Sequence, residues 1–272
     1  MKNLYKLYYK DYFRGVDFSV LLNKENDRNT QNLKEKNKSS LEAVNREILS
    51  TKLVLPPPIK QTKANVGWAY RVLYPGLLTG VGINHEANIE GEFKLGIHLD
   101  YLTGMPVVYG STVKGILCSA FRDYAYIRKL CQEHLKRSVI EDDIEVMRRD
   151  IFEGEELKPG CDPWKDESYT PKSIYKRDIF FDAVITKADS KGRVICSDSI
   201  TPHYKNVLRD PVPLPFIKIA PGCTLEFRFR LMNSAVLTRE EKFFLFIPIL
   251  QDSGIGAKTN VGYGKLDSIE DF

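Results

Sequence analysis

The chain has 272 residues, 43% of them hydrophobic, with 40 Lys and Arg against 36 Asp and Glu for a formal charge of +4. A chain of this size can bury roughly 70 to 75% of its unfolded surface, which suits one large domain or two small ones. The near balance of charge is far from the basicity of a dedicated nucleic-acid-binding domain, so it permits an anionic partner without requiring one. Five cysteines, odd in number and widely spaced, fit no zinc or disulfide framework. The N-terminus has charges scattered among its apolar residues and no run nears 18 apolar residues, so a reduced, cytoplasmic protein is expected.

Residues 1–15 are aromatic-rich, whereas Asn23 to Lys38 is dominated by Lys and Asn and reads as a loop or disordered segment. Ser39 and Glu42 form a capping box for a helix carrying Leu41, Val44, Ile48 and Leu49, which ends before Pro56-Pro57-Pro58. Residues 1–58 are therefore expected to be a helical N-terminal appendage. Trp68 to Leu78, Glu92 to Asp100 and Pro106 to Tyr109 read as strands. A helix follows with Ser111 as N-cap and an apolar stripe from Val113 to Ile127, then another capped by Ser138 and Glu141.

The second half repeats this pattern. Arg177 to Thr186, Arg193 to Ser197 and Leu214 to Ala220 read as strands, and Leu225, Phe227, Phe229 and Leu231 alternate with Thr224, Glu226, Arg228 and Arg230. Thr238 and Glu241 cap an apolar helix, Lys242 to Leu250, containing Pro248. Val261 to Leu266 closes the sheet. The expected fold class is α+β: a body over residues 59–272 made of two ferredoxin-like units, about 64–155 and 174–272.

Between the last helix and last strand lies GIGAKTNVGYG, with four glycines in eleven residues. It is neither a Walker A loop, since Ala257 rather than glycine precedes Lys258, nor a dinucleotide fingerprint, since no helix follows. Glycines let backbone N–H groups approach an anion, and Gly254 also suits the end of a helix. A second stretch, PVVYGSTVKG, takes a strand into a helix with Lys114 one turn in, where the helix dipole favours anions; Lys114, Arg122 and Lys129 share a face. Ser111 and Lys114 match S-x-x-K, but Ser197-Asp198-Ser199 and Lys258-Thr259-Asn260 spoil the partner motifs of an acyl-enzyme. Asp178, Asp182 and Asp198 are not spaced as a metal site. No metal or cofactor is expected, and His98 reads as a structural histidine.

Taken in order, GIHLDYLTGMPVVYGSTVKGILCSAF (96–121), FFDA (180–183), DSITPHY (198–204), PLPFIKIAPGCTLEFRF (213–229) and GIGAKTNVGYG (254–264) resemble the RAMP superfamily of CRISPR-associated proteins. The likeness is strongest to the sixth subunit of type III-B Cmr effector complexes. Tyr109 departs from the proline usual there, and nothing in the first 60 residues carries the likeness. The resemblance implies a non-catalytic, RNA-binding backbone subunit that holds the 3′ part of a CRISPR guide RNA and helps bind complementary target RNA in antiviral defence. Its partners would be other RAMP and small subunits of the complex. It also implies that Gly110, Ser111 and Lys114, with Gly254, Gly256, Ala257, Lys258, Thr259, Asn260 and Gly262, line the guide groove, their backbone and lysines taking phosphates without reading bases. Tyr263 would stack on a base or sit in the core. The alternative is a RAMP-type endoribonuclease in which His85, or an acid such as Asp100, assists attack by a ribose hydroxyl.

Overall fold

The computed structural model describes residues 3–22, 27–58, 65–201 and 213–269. Helix α1 (Leu4–Tyr9) is followed by the short α2 (Ser19–Leu22) and the long α3 (Arg28–Leu49). The segment expected to be a loop is thus largely helical: α3 starts at Arg28, capped by Asp27, whose carboxylate accepts from Thr30 N at 2.8 Å. Ser39 lies inside the helix and caps nothing. Polar residues hold this region in place. The fully buried Asn37 pairs with both backbone groups of Asp17, each at 2.8 Å, and Asn45 Nδ2 donates to Gly91 O at 2.7 Å.

The N-terminal region is part of the main core, not an appendage. Leu4, Leu7 and Tyr8 fall on one face of α1, and with Tyr12, Leu41 and Ile48 they join the cluster that contains Phe93, Ile97 and Phe227. The Tyr8 hydroxyl donates to Leu95 O at 2.8 Å, and Tyr12 both accepts from Phe93 N at 2.7 Å and donates to Asn45 Oδ1 at 2.9 Å. Sequence gave no sign of this because the contacts join residues some 80 positions apart.

The body begins with β1 (Asn65–Val72) and β2 (Val107–Val108). Between them Glu92 to Asp100 forms no strand: Leu95 and Leu99 make isolated bridges only. The buried Glu92 carboxylate instead holds a turn, accepting from Ala87 N at 3.0 Å and Ile89 N at 3.2 Å. Next come α4 (Gly110–Ala120) and α5 (Tyr124–Leu130), divided where Asp123 caps α5, and α6 (Glu141–Arg148), whose cap is Ile140 with Asp143 rather than Ser138. The chain then makes β3 (Glu155–Leu157), β4 (Tyr169–Pro171), β5 (Ile179–Phe180), β6 (Ala183–Lys187), β7 (Ile195–Ile200), β8 (Leu214–Ile219) and β9 (Thr224–Arg230). It ends with α7 (Arg239–Ser253) and β10 (Leu266–Ser268). The Thr238–Glu241 capping box is present, with bonds of 2.7 and 3.2 Å.

Strand β9 alternates as expected, and burial of Leu225, Phe227 and Phe229 on one face makes it the centre of the main sheet. The sheet is antiparallel in the order β10-β1-β9-β6-β2, with β5 also paired to β9; Trp68 faces Phe227 and Ile185 faces Leu225. Strands β1, β6, β9 and β10, with helices between β1 and β6 and between β9 and β10, follow the β-α-β-β-α-β order of one ferredoxin-like unit. Where two units were expected, the described residues show this one, because β1 from the first expected half pairs with β9 and β10 from the second. The hairpin β7–β8 is a separate two-stranded ladder, tied to the rest by the Leu77–Ile219 bridge. His203 and the rest of residues 202–212 lie outside the described residues.

An ionic lattice locks α7 to the sheet. Lys242, 1% exposed, donates from Nζ to Asp178 Oδ2 at 2.7 Å and to Met232 O at 2.9 Å, and lies 3.4 Å from Asp150 Oδ2. Lys172 binds the other oxygen of Asp150. Removing one partner from such a lattice leaves a buried charge uncompensated, so Lys242→Ala is expected to cost about 3–5 kcal/mol in chemical denaturation. Tyr12→Phe, which strands the buried Phe93 N–H, is expected to lower the same global transition by about 1–3 kcal/mol. An unchanged transition would mean that the N-terminal helices unfold independently.

Candidate nucleic-acid interface

The glycine-rich stretch is a compact turn whose bareness is largely consumed by its own packing. Helix α7 ends at Gly254, with φ +67° and its N–H bonded to Leu250 O at 3.1 Å. Ile255 N donates to Gly264 O at 2.9 Å, Ala257 N to Leu78 O at 2.9 Å, and Gly264 N to Gly76 O at 2.8 Å. A Cβ at Gly256 would lie 2.2 Å from Leu78 O, and one at Gly264 would lie 1.8 Å from Ile255 O. These glycines exist because backbone meets backbone within the protein. Gly262 differs, since the nearest atom to a Cβ there is Pro75 Cδ at 3.7 Å, although its φ of +97° still favours glycine.

At the crown of this turn, Lys258 is left-handed (φ +59°) and leads into a single 3-10 turn, Thr259–Val261. The N–H groups of Val261, Gly262 and Tyr263 bond back to Lys258 and Thr259 carbonyls at 3.1–3.3 Å. Those of Lys258, Thr259 and Asn260 have no acceptor among the described residues. Three successive donors without an acceptor, the first of them on a lysine, suit an anion. Asn260 is exposed and Lys258 and Thr259 are partly so.

Tyr263 sits in the core rather than on the surface. Its hydroxyl donates to Asp198 Oδ2 at 2.8 Å, its ring lies 5.2 Å from Lys218 Nζ, and Phe216 packs edge-on at 6.2 Å. Burial acts to raise the Asp198 pKa, but hydrogen bonds from Lys218 and Tyr263 hold it below the usual carboxylate value. Lys218 is therefore occupied and gives no charge to the surface. Asp198 and Asp182, visible in sequence only as scattered acids, prove to be the groups that organise the two stretches.

At the second stretch, Tyr109 is the N-cap of α4 by backbone conformation and Ser111 is a first-turn residue, correcting the sequence expectation. Asp182 supplies the missing cap from the link between β5 and β6, far away in sequence: its Oδ1 accepts from Gly110 N at 2.8 Å. The anion position at this helix start is thus taken by a protein carboxylate. Gly110 is buried, because a Cβ there would meet Phe180 O at 2.1 Å. Ser111 and Lys114 are exposed, as are Arg122 and Lys129 further along.

One chain of contacts joins the two stretches. Leu78 O binds the glycine turn, the adjacent Thr79 Oγ1 accepts from His98 N at 3.0 Å, and the His98 ring stacks on Tyr109 at 4.2 Å, directly before Gly110. Of the residues named from sequence, Gly110 and Gly254 are buried supports; Ser111, Lys114, Lys258, Thr259 and Asn260 present polar groups; Gly256, Ala257 and Gly262 are partly exposed.

His85 lies elsewhere, enclosed by Tyr8, Tyr12 and Phe13 with ring centroids 4.2–5.2 Å away. Its two ring nitrogens face main-chain carbonyls, Nδ1 at 3.1 Å from Phe93 O and Nε2 at 3.2 Å from Tyr8 O. Burial pushes its pKa below the ordinary histidine value, against the opposing pull of Glu92 and those carbonyls. Among the described residues no cluster of His, Cys, Asp and Glu could hold a metal ion, and no helix is long and apolar enough to cross a membrane.

Among solved structures, the chain resembles one in the cryo-EM structure of the type III-B Cmr-beta bound to cognate target RNA. The TM-score is 0.58 at 20% identity, over 93% of this chain and 79% of that one. The crystal structure of Cmr6 from Pyrococcus furiosus aligns at a TM-score of 0.37 and 19% identity, over 75% of this chain and 97% of that one, too distant a superposition to carry structural inference. No curated protein matches the sequence. The profile of the RAMP superfamily matches residues 69–267, which take in most of the main sheet and the glycine-rich turn, and the chain is therefore a member of the RAMP superfamily.

Proposed function

We propose that this protein is an RNA-holding subunit of a type III-B CRISPR effector complex, contributing grip on the guide and target strands and no chemistry of its own. The observation that carries this reading is the run of N–H groups at Lys258, Thr259 and Asn260 that have no acceptor among the described residues, on a turn whose glycines pack backbone against backbone. Such donors take phosphate oxygens of any sequence, which is what carrying a variable guide requires. Exposed Lys114 and Arg122 add charge along α4 and just past its end, whereas Lys129 on α5 is paired with Glu133 at 3.8 Å. The Ser111 hydroxyl and N–H lie on the same exposed turn, while Asp182 holds the helix end and keeps a phosphate off Gly110 itself. The fold likeness to a chain of an RNA-bound Cmr assembly supports other subunits of such a complex as partners.

The non-catalytic part of the reading is supported by the enclosure of His85. A main-chain carbonyl stands in line with each ring nitrogen, where a ribose hydroxyl would have to stand to give up its proton.

The double variant Lys114→Ala, Lys258→Ala is expected to weaken binding of single-stranded RNA equally across unrelated sequences. It should reduce the slope of log affinity against log salt by roughly one to two. Affinity that is unchanged, or lost for one sequence alone, would remove these lysines from the interface. Incubation of the purified protein with guide-repeat or target RNA is expected to leave both intact. Cleavage by the wild type that disappears in His85→Ala would instead establish the nuclease.

A further inference from the structure

Beside the start of α4, three distant segments bring together rings that the phosphate-holding role does not use. Tyr5 of α1 meets Tyr101 edge-on at 5.2 Å and Tyr9 at 5.0 Å. The Tyr9 hydroxyl donates to Ile97 O, and the adjoining His98 stacks on Tyr109 at 4.2 Å and 23°. Tyr101 is 65% exposed and Tyr109 38%, whereas most large aromatics of the β9–α7 core are fully buried. We propose that Tyr5, Tyr101 and Tyr109, with His98, form a stacking platform for unpaired bases of the bound single-stranded RNA, an inference that rests on the RNA-holding function proposed above.

The platform is built, not incidental. Asn3 Nδ2 donates to Tyr101 O at 3.0 Å and to Leu102 O at 3.2 Å, fastening the turn that carries Tyr101 onto α1. Asp100 Oδ1 accepts from both the N–H and the hydroxyl of Thr103 at 2.6 Å, closing that turn. Gly104 brings the backbone so near α1 that a Cβ would lie 2.7 Å from Leu4 N. Ring positions fixed in this way lose little freedom when a flat partner stacks on them.

Its charge selects the occupant. Beside Tyr109 lie the carboxylates of Asp182 and Asp100 and the Tyr5 hydroxyl. Burial holds the His98 pKa below its ordinary value, against the opposing pull of Asp182, which leaves the imidazole neutral near neutral pH. Two acids beside the rings, with Arg228 lining the same cavity as both, give this surface little positive field of its own, so it suits a neutral aromatic face better than a phosphate. Lys114, one turn into α4, stands ready for the neighbouring phosphate. Bases on the rings and phosphates on the lysine are the two halves of single-strand binding. This gives the N-terminal tyrosines and the unusual Tyr109 a shared purpose.

The test measures affinity of the full chain for a labelled single-stranded RNA and for the same backbone carrying abasic sites. Tyr101→Ala, at an exposed position that leaves the core intact, is expected to weaken intact RNA by about five- to a hundred-fold and to change abasic RNA little. Tyr101→Phe should restore wild-type affinity. Equal losses on the two RNAs, or no loss in Tyr101→Ala and Tyr109→Ala while Lys114→Ala with Lys258→Ala still weakens binding, would overturn the platform and leave the RNA-holding function standing. RNA affinity unchanged in Tyr101→Ala, with a protein subunit lost from the copurified complex, would assign the rings to a protein neighbour. A wild-type chain that binds neither RNA would sink both proposals.

Discussion

Backbone approaching backbone with no room for a side chain is the constraint on which the candidate interface depends. It occurs at Gly110 against Phe180 O, at Gly256 against Leu78 O and at Gly264 against Ile255 O. The first two join α4 and the glycine-rich turn to other parts of the fold and the third closes the turn on itself, so the positions of α4 and the turn are set by van der Waals contact and not by flexible side chains. Because protein interiors are close-packed, one added methyl at any of these points forces a backbone shift. The unbonded N–H groups of Lys258, Thr259 and Asn260 are therefore held in place before any ligand arrives, which lowers the ordering cost of binding.

Charge is distributed to match. The charged groups close to the scaffold are paired: Lys218 with Asp198, Lys242 with Asp178 and Asp150, Lys172 with Asp150. These pairs fix geometry and give the surface little field. Among the described residues Lys114 and Lys258 take part in no such pair, which leaves their charge for a partner. A modest net charge of +4 thus conceals a division between lysines used up in the core and lysines left at the interface. A cavity of about 450 Å³ lined by Pro56, Pro57, Asp100, Met105, Asp182 and Arg228 lies apart from the glycine-rich turn.

The N-terminal helices illustrate how polar residues can specify packing. Asn37, Asn45 and Tyr12 satisfy main-chain groups of Asp17, Gly91 and Phe93, so this Lys- and Asn-rich segment folds onto the body without a strong apolar pattern of its own. Buried amides that are fully bonded define register in a way that interchangeable apolar contacts do not. The same docking carries Tyr5 to Tyr101 and so builds a surface that the body alone would lack.

Features whose cause lies within a few residues were legible in the sequence. The alternation of Thr224 to Leu231, the Thr238–Glu241 capping box and the step from Val108 into α4 each need only neighbouring residues, and each stands as expected within a residue or two. The glycine-rich turn was visible too, as a bare backbone beside Lys258, although its reason was only half right. Tertiary structure decided the rest, because the responsible contacts join positions far apart in the chain. Asp182, 72 residues from Gly110, displaced Ser111 as the cap; Leu78 O explained Gly256; and pairing of β1 with β9 and β10 merged the expected halves into one sheet. Local patterns report propensity, whereas the choice of partner across the chain is made by packing and hydrogen-bond satisfaction, which only the folded molecule resolves.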